Sequence, residues 1–345
     1  MRVLYHIPYA HGLGADRWIC EAWKEGFLAR GHEFHLLQDG ERLDERARAV
    51  QPDVFLTAIN VLDLEAEHST LEHMRARSVK VVLGVYWPIE SGVPPARIEM
   101  LRREDLADLY FGEREPEQMT RFEEETGKRY HVIPNAANPR MHFPVEPVRE
   151  YAYDIVYLGA NLRKKRWFAE NVIRPLRKAY RVGVFGPGWS LQDTLLRAGS
   201  KACKLAHIYP VAQVIDRIRT SIPPEAERQL YSSAKICLNF HEREDDGSQP
   251  HYIVNQRTFK IPACGGFQLC DSVSAVRKYF REDEVIVASL DRDEWREKIE
   301  HFLNREAERK EIQERGTRRA LHEHMSSNRV DTLLSLLSSG SNRQW

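Results

Sequence analysis

The sequence predicts an α/β protein built from two doubly wound, parallel-sheet domains. Short apolar segments alternate with amphipathic, charge-rich segments, and this alternation is typical of parallel strands covered by helices on both faces. The segment 133–154 interrupts the alternation with four prolines. Because proline fixes φ and lacks a backbone donor, this segment is predicted to be a linker. The chain length of 345 residues fits two domains of ordinary size.

The predicted domain boundaries follow from that linker. Residues 1–135 form the first predicted domain and residues 154–327 the second, with the linker at 136–153. Residues 328–345 are predicted to hold a last helix, with Asn328 as its N-cap, and a tail. Two such domains imply a cleft between them, and ligands of such sheets bind outside the carboxyl ends of the strands. Candidate binding residues are therefore expected in loops that follow strands.

The first domain begins with a predicted strand at Val3–Ile7 and a predicted helix at Asp16–Arg30. The helix shows apolar residues on two adjacent helical rows, and Gly31 is expected to close it. The further predicted strands are Glu33–Leu37, Asp53–Thr57, Val79–Val85, Leu109–Phe111 and Tyr130–Ile133, and the further helices are Glu65–Arg77 and Glu115–Thr126.

The second domain repeats the same alternation, so it is predicted to hold a second parallel sheet. Its predicted strands are Asp154–Gly159, Arg181–Phe185, Lys235–Phe240, Gly266–Cys270 and Glu284–Ala288. Its predicted helices are Lys164–Tyr180, Glu225–Ser233, Asn255–Ala263, Val273–Phe280, Asp293–Asn304 and Glu306–His322.

The composition argues against several classes of partner. Lys plus Arg and Asp plus Glu both number 51, so the net charge is zero and no general nucleic-acid or acidic-membrane partner is expected. The N-terminus has no apolar signal segment and no run reaches the ~20 apolar residues of a membrane span, so a cytoplasmic protein without a transmembrane segment is expected. The five cysteines form no CxxC pair, so buried reduced thiols are expected rather than a zinc site.

The loop after the first strand contains two glycines and a histidine. Gly12 and Gly14 allow a ligand to approach the backbone closely, and His11 is the candidate for sugar contact or proton transfer. Asp16 either assists His11 or caps the following helix. The loop is not a GxGxxG dinucleotide motif, because Arg17 stands at the third glycine position. A plain tight turn is the alternative interpretation.

Four consecutive cations, residues 163–166, follow the first strand of the second domain. The N-terminal end of a helix dipole favours anions, so cations at a helix start conflict with local propensity, and such conflicts often mark function. The sequence predicts that at least one of Arg163, Lys164 and Lys165 faces the cleft, and that Arg163 and Lys164 bind phosphate. The alternative is a solvated basic turn.

Two later loops of the second domain also follow strands. In the loop Gly186–Trp189, Trp189 is predicted to stack on a flat base, although a plain Gly-Pro turn fits as well. His241 lies directly at the end of a strand and is a candidate nucleotide or sugar contact. Asp245 and Asp246 follow it, and a solvated loop is favoured there over a divalent metal site.

The start of the predicted helix Asn255–Ala263 collects polar and cationic residues. Free backbone N–H groups and the positive end of the helix dipole attract anions at such a position. Arg257 can fork two phosphate oxygens, and Lys260 adds a point charge one turn later. A phosphate-bearing ligand is therefore predicted, and exposed polar residues without a ligand are the alternative. The predicted binding residues are Asn255, Arg257, Thr258 and Lys260.

Several of these segments resemble a known family. Leu28–Phe34 resembles the end of the first helix in glycosyltransferases with the GT-B fold. Tyr153–Trp167, Ser232–His241 and Asn255–Asp271 together resemble the CgeB-like spore-maturation glycosyltransferases, and the last of these is the most specific. The resemblance is strong over about residues 153–337 and weak over the N-terminal half.

The resemblance implies two Rossmann-like domains, a last helix that crosses back to the first, and a nucleotide-diphosphate sugar held mainly by the second domain. The acceptor, a glycan, protein or small molecule, is then expected on the first domain. No bound metal or other cofactor is expected. Arg163, Lys164 and the helix start at Asn255–Thr258 match the diphosphate side of such enzymes.

Two residues depart from the family pattern. Lys260 stands where related sequences usually carry a glutamate that accepts the ribose hydroxyls, and a lysine cannot accept them. Tyr252 replaces the first glutamate of the pair found in many retaining members. A metal-independent hexosyltransferase is the main hypothesis. A non-catalytic nucleotide-sugar sensor or partner subunit is the alternative, and a GT-B-fold epimerase or phosphorylase is a further one.

Overall fold

The chain divides into two compact units. Unit 1 comprises Met1–Asn138 and the C-terminal segment from Met325 onward, and unit 2 comprises Pro139–His324. Each is an α/β unit with one parallel sheet, so the predicted fold class is confirmed. The computed structural model describes residues 1–7, 15–38, 40–85, 95–218, 222–242 and 254–340.

Unit 1 is built on a six-stranded sheet. Its strands are β1 (Arg2–His6), β2 (Glu33–Leu37), β3 (Val54–Ala58), β4 (Lys80–Gly84), β5 (Leu109–Gly112) and β6 (Tyr130–Val132). All neighbours are parallel, in the order β2-β1-β3-β4-β5-β6. The central strands β3 and β4 are almost wholly buried, because helices cover both faces of a parallel sheet.

The C-terminal helix belongs to unit 1 and packs against the first helix. Gly26 allows the close approach, since an added Cβ would lie 2.8 Å from the carbonyl oxygen of Ser326. Arg30 and Asp331 form an ion pair between the two helices. The helices of unit 1 are α1 (Ala15–Ala29), α2 (Leu43–Val50), α3 (Leu64–Ala76), α4 (Pro95–Arg103), α5 (Thr120–Thr126) and α15 (Ser326–Gly340).

The predicted N-cap of this last helix is wrong. The helix begins at Ser326, where the backbone N–H donates to the carbonyl of Ala137, so helical structure starts before Asn328. Asn328 lies inside the first turn, and its side chain accepts a hydrogen bond from the N–H of Met325 at 2.9 Å. At the other helix, Gly31 has φ +73° just beyond α1, as a closing glycine requires.

Unit 2 is built on a five-stranded sheet. Its strands are β7 (Ile155–Leu158), β8 (Val182–Phe185), β9 (Ile236–Asn239), β10 (Gln268–Asp271) and β11 (Ile286–Ala288). They are all parallel, in the order β11-β10-β9-β7-β8. The carboxyl ends of β7, β9 and β10 therefore lie side by side at one edge.

The helices of unit 2 include two that the sequence pattern did not single out, α8 and α9. The predicted helix Lys164–Tyr180 is a run of short pieces, with a 3₁₀ turn at Arg163–Lys165 and a π turn at Ala169–Ile173 between α-helical turns. The α-helices are α6 (Arg166–Phe168), α7 (Arg174–Ala179), α8 (Leu191–Leu205), α9 (Tyr209–Ile218), α10 (Pro224–Ser233), α11 (Arg257–Ala263), α12 (Val276–Tyr279), α13 (Arg292–Asn304) and α14 (Glu306–Glu323).

Candidate functional site

A buried polar network lies at the carboxyl ends of β9 and β10. The side chains of His241 and Asp271 are fully buried. Asp271 Oδ1 accepts hydrogen bonds from the backbone N–H of His241 at 2.9 Å and from its Nδ1 at 2.7 Å. A hydrogen bond of 3.1 Å joins His241 Nε2 to the hydroxyl of Thr258. The network fixes the start of α11 to the sheet.

The same network continues to the residues before α11. Asn239 donates to the hydroxyl of Thr258 at 3.1 Å, and Asn255 donates to Asn239 Oδ1 at 2.9 Å. Asn255 Oδ1 also lies 3.3 Å from the backbone N of Thr258. Because buried polar groups must be paired, this closed set of bonds holds the segment in one position.

Two features that were predicted to contact the ligand, the side chain of His241 and the backbone N–H groups at the start of α11, instead form hydrogen bonds within the protein. His241 is fully buried and both ring nitrogens are bonded, so in this conformation it presents no atom to a ligand. The backbone N–H groups of Thr258, Phe259 and Lys260 bond to the carbonyls of Asn255 and Gln256, so these three are not free anion donors. Both features hold the start of α11 in place.

Arg257 reaches from the start of α11 across the ends of two strands. Its guanidinium donates to the carbonyl of Leu158 at 2.6 Å, after β7, and to that of Phe240 at 3.1 Å, after β9. Gly159 makes this position possible, because an added Cβ there would clash with Nη1 of Arg257. A guanidinium carries five N–H groups, so donors remain after these bonds are made.

Lys165 is the cation of the basic run that points inward. Its side chain is buried, whereas Arg163 is exposed and Lys164 is partly exposed. Lys165 Nζ lies 3.8 Å from Glu242 Oε1. The pKa of Lys165 is lowered to about 7, first by burial and then by the Arg257 cation, against the opposing effects of Glu242 and Asp271.

The position of Lys165 refines the prediction for this loop. Of the three cations of which at least one is predicted to face the cleft, Lys165 is the buried one, and the phosphate-binding role predicted for Arg163 and Lys164 stays a prediction. The 3₁₀ turn at Arg163–Lys165 sets which of the consecutive side chains faces the sheet. Helical phase beside Phe168, which is fully buried, is the signal that would have identified it.

The loop Gly186–Trp189 forms one side of this sheet end. The indole N–H of Trp189 donates to the carbonyl of Gly159 at 2.6 Å, and its ring meets Tyr157 edge to face. Gly186 has φ +117°, and an added Cβ would lie 2.7 Å from the same carbonyl oxygen. Trp189 is partly buried, so its stacking on a base stays a prediction.

Lys260, the family-departing residue, lies deeper in the protein. It is 8% exposed, and its Nζ lies 3.8 Å from Glu227 Oε1 on α10. The carboxylate of Glu227, on a neighbouring helix, therefore offsets the charge of Lys260. Tyr252, the other departing residue, lies outside the described residues.

The carboxyl edge of the unit 1 sheet carries a perturbed carboxyl group. Glu113 directly follows β5 and is partly buried, and Asn135 donates to its Oε2 at 2.8 Å. The pKa of Glu113 is raised to about 7, because burial disfavours the carboxylate more than Asn135 and Arg114 favour it. Perturbed carboxyl groups at sheet ends are candidates for proton transfer.

The other unit 1 candidates are only partly within reach of the structure. His11, Gly12 and Gly14 lie outside the described residues. Asp16 is the second residue of α1, and its role stays a prediction. Asp245 and Asp246, the weak metal candidates, also lie outside the described residues.

The described residues offer neither a metal site nor a membrane-spanning helix. No group of three or more His, Cys, Asp or Glu side chains among them is arranged to hold a metal ion. None of the helices within these residues is both long and apolar enough to cross a membrane.

Comparisons with known proteins point to one family. The model of the glycosyl transferase-like family matches residues 163–335, half of the chain. Spore protein CgeB of Bacillus subtilis (strain 168) is 21% identical over 323 residues, which is 90% of this chain and 90% of CgeB. The predicted resemblance to CgeB-like glycosyltransferases is therefore confirmed.

Solved structures show the same fold. An α-glucosyltransferase in complex with UDP matches with a TM-score of 0.65 and 11% identity, over 98% of this chain and 100% of that one. HepE from Anabaena, in complex with UDP and glucose, matches with a TM-score of 0.61 and 11% identity over the same shares. These similarities confirm the predicted GT-B fold.

Proposed function

The chain belongs to the glycosyl transferase-like family, and we propose that it moves a hexose from a nucleotide-diphosphate sugar to an acceptor without a bound metal. The acceptor is a glycan, a protein or a small molecule. Two similar structures were solved with UDP, which makes a UDP-sugar the first donor to test. The residues at the sheet end of unit 2 supply the chemistry for the diphosphate.

The main observation behind this function is that two cations lie near each other, the buried Lys165 and the partly buried Arg257. They lie close enough that the charge of Arg257 lowers the pKa of Lys165. Like charges in a region of low dielectric repel each other, and Glu242, 48% exposed and 3.8 Å from Lys165, offsets this only in part. A diphosphate placed here relieves the repulsion, so its binding is expected to stabilise protonated Lys165.

The same cations suit the departure of the diphosphate. In the transfer, an acceptor hydroxyl oxygen forms a bond to the anomeric carbon of the sugar, and the bond from that carbon to the diphosphate oxygen breaks. Negative charge grows on the leaving oxygen, and fixed donors stabilise it most when they need no reorganisation. Arg257 is held by two carbonyl groups and Lys165 by burial, so both meet that requirement.

The hydroxyl proton needs an acceptor. Glu113 of unit 1, with its pKa raised to about 7, is our candidate for the group that accepts this proton. His11 stays a predicted alternative. A carboxyl group with a pKa near the working pH can take up a proton and release it again in each cycle.

A nucleotide-sugar-binding protein without transfer activity is the second candidate. The observation that favours it is Lys260, which replaces the glutamate of related sequences and is buried beside Glu227. Turnover assays with a panel of donors separate the two: binding without transfer or hydrolysis favours the second candidate.

Donor binding tests the site directly. Isothermal titration of wild type with UDP and UDP-glucose is expected to show binding that weakens at least tenfold, about 1.4 kcal/mol, in Lys165→Met and in Gly159→Ala. Arg163→Ala is expected to have a smaller effect, because Arg163 is exposed. Glu113→Gln is expected to keep donor binding and lose transfer.

Gly199→Ala is the matched glycine control. An added Cβ there makes only an ordinary contact, 3.8 Å from Ile215, and donor affinity should not change. Unchanged affinity in both Lys165→Met and Gly159→Ala would overturn the site assignment.

A further inference from the structure

The hairpin formed by α8 and α9 carries most of the exposed apolar side chains of the described chain. Among all the described residues, twelve large hydrophobic residues are exposed, and seven of these lie from Leu191 to Val214. Leu191, Leu195 and Leu205 are 75%, 64% and 73% exposed. Large exposed apolar patches mark interaction sites, whereas singly scattered apolar residues do not.

The exposed apolar residues of α8 form one stripe. Residues 191, 195, 198, 202 and 205 are spaced 4-3-4-3, which places them on one helix face, and all five are exposed. The hairpin uses a different face for its own packing: Gly199 meets Ile215, and Ser200 and Ala212 are buried. The stripe is therefore not the core of the hairpin.

Further apolar side chains of the hairpin are exposed beyond α8. Ile208, Tyr209, Val211 and Val214 are 48%, 52%, 47% and 54% exposed. Tyrosine, with an apolar ring and a polar hydroxyl, suits a boundary between apolar and aqueous surroundings.

Uncompensated positive charge flanks the stripe. At about 100° per residue, Arg197 and Lys201 lie on the side of α8 away from the face that packs on α9. Both are exposed, and neither has an ion-pair partner among the described residues. Lys204 instead pairs with Asp216 at 2.7 Å. The zero net charge of the whole chain conceals this local basic flank.

We propose that this face of the α8–α9 hairpin docks on the surface of a lipid bilayer that contains anionic lipids. Leucines on one face and basic residues beside them are the features of a helix that lies in the membrane interface. A second copy of the chain fits less well. A symmetric antiparallel pairing of α8 would bring the Arg197 and Lys201 flanks of both copies together.

The hairpin directly follows the loop Gly186–Trp189 in the chain. α8 begins two residues after Trp189, and its N-cap Ser190 accepts a hydrogen bond from Asp193 N–H. The docking surface is thus joined directly to the loop at the sheet end. The inference itself depends only on the stripe and its charges, not on transfer activity.

Vesicle co-sedimentation tests the proposal. Wild type is expected to pellet with vesicles of phosphatidylcholine and phosphatidylglycerol, more weakly at higher salt, and far less with phosphatidylcholine alone. The triple variant Leu191→Gln, Leu195→Gln, Leu205→Gln is expected to bind at least tenfold more weakly. Replacing Arg197 and Lys201 by glutamine should weaken binding about 30-fold at low salt, at about 1 kcal/mol for each cation.

The control variant is Leu290→Gln with Leu321→Gln, which alters two leucines that are 38% and 39% exposed elsewhere on unit 2. It is expected to bind vesicles like wild type, and all variants should keep the wild-type melting temperature. No binding to anionic vesicles by wild type would overturn the proposal. So would equal losses in the control variant, or a dimer in sedimentation velocity that the triple variant abolishes without any vesicle binding.

Discussion

The sheet end of unit 2 and the α8–α9 hairpin depart from an ordinary protein in opposite directions. At the sheet end, Asp271 and His241 are polar and fully buried, whereas on the hairpin Leu191 and Leu195 are apolar and largely exposed. Buried polar groups and exposed apolar patches are the informative exceptions to normal burial. Beside the buried network lie Lys165 and Arg257, which we assign to an anionic leaving group, and the exposed stripe is assigned to a bilayer.

The two regions differ in how they are stabilised. The polar network is closed, so each of its bonds supports the others and the loss of one leaves buried groups unpaired. The stripe has no such dependence, because its side chains already contact water. Substitutions in the polar network should therefore lower the stability of the fold. Substitutions in the stripe should weaken binding and leave the stability nearly unchanged.

The largest expected effect is the loss of Asp271. Asp271→Ala removes the acceptor for two N–H groups of fully buried His241, and unfolding free energy should fall by about 3–5 kcal/mol. Urea unfolding followed by circular dichroism measures it. Asp271→Asn keeps an oxygen at this position and should cost clearly less. A loss below about 1 kcal/mol for Asp271→Ala would mean that the network is not a stabilising unit.

An intermediate effect is expected in the pH dependence of stability. The pKa of Lys165 is about 7 in the folded state, below its ordinary value of 10.5, so between these pH values the unfolded state binds more protons. The free energy of unfolding should therefore rise with pH above 7, by at most about 1.4 kcal/mol per pH unit, and this contribution is absent below pH 7.

Lys165→Met should remove that rise. Urea unfolding of wild type and variant at pH 7, 8 and 9 measures the difference in slope. Lys178→Met removes an exposed lysine and controls for the general loss of a positive charge. Parallel curves for wild type and Lys165→Met would contradict the lowered pKa.

The smallest expected effect concerns the exposed stripe. Leu195→Gln should change the unfolding free energy by no more than about 0.5 kcal/mol, because its side chain is already 64% exposed. Leu238→Gln, at a fully buried position in β9, should cost several times as much. Thermal unfolding compares the two, and a large loss for Leu195→Gln would show that the stripe is part of a folded core.

The elements of the two sheets were predictable because their signals are local. The strands β3 and β9 are short apolar runs, and a buried parallel strand needs nothing else to be recognised. The resemblance of Asn255–Asp271 to CgeB-like enzymes was equally local. The helices α8 and α9 are not predicted from the sequence, because most of their apolar residues are exposed and do not form a core-facing stripe.

The site residues were predictable only in kind. The basic run 163–166 predicts that a cation faces the cleft, but which of its side chains is buried, Lys165, depends on the phase of a 3₁₀ turn. His241 was recognised as a residue at a strand end, yet its burial beneath Asp271 follows from a partner 30 residues away. Glu113 gave no pattern at all, because its raised pKa comes from burial.

Local patterns in the sequence are enough to predict two parallel sheets, their strands and a family, because periodicity, glycines and motifs act over a few neighbouring residues. The tertiary structure alone decided which polar groups meet. Leu158, Phe240 and Asp271 come to one edge only when the order β10-β9-β7 is formed. That order depends on contacts between residues far apart in the chain, and on the burial that turns a lysine into a titratable group near pH 7.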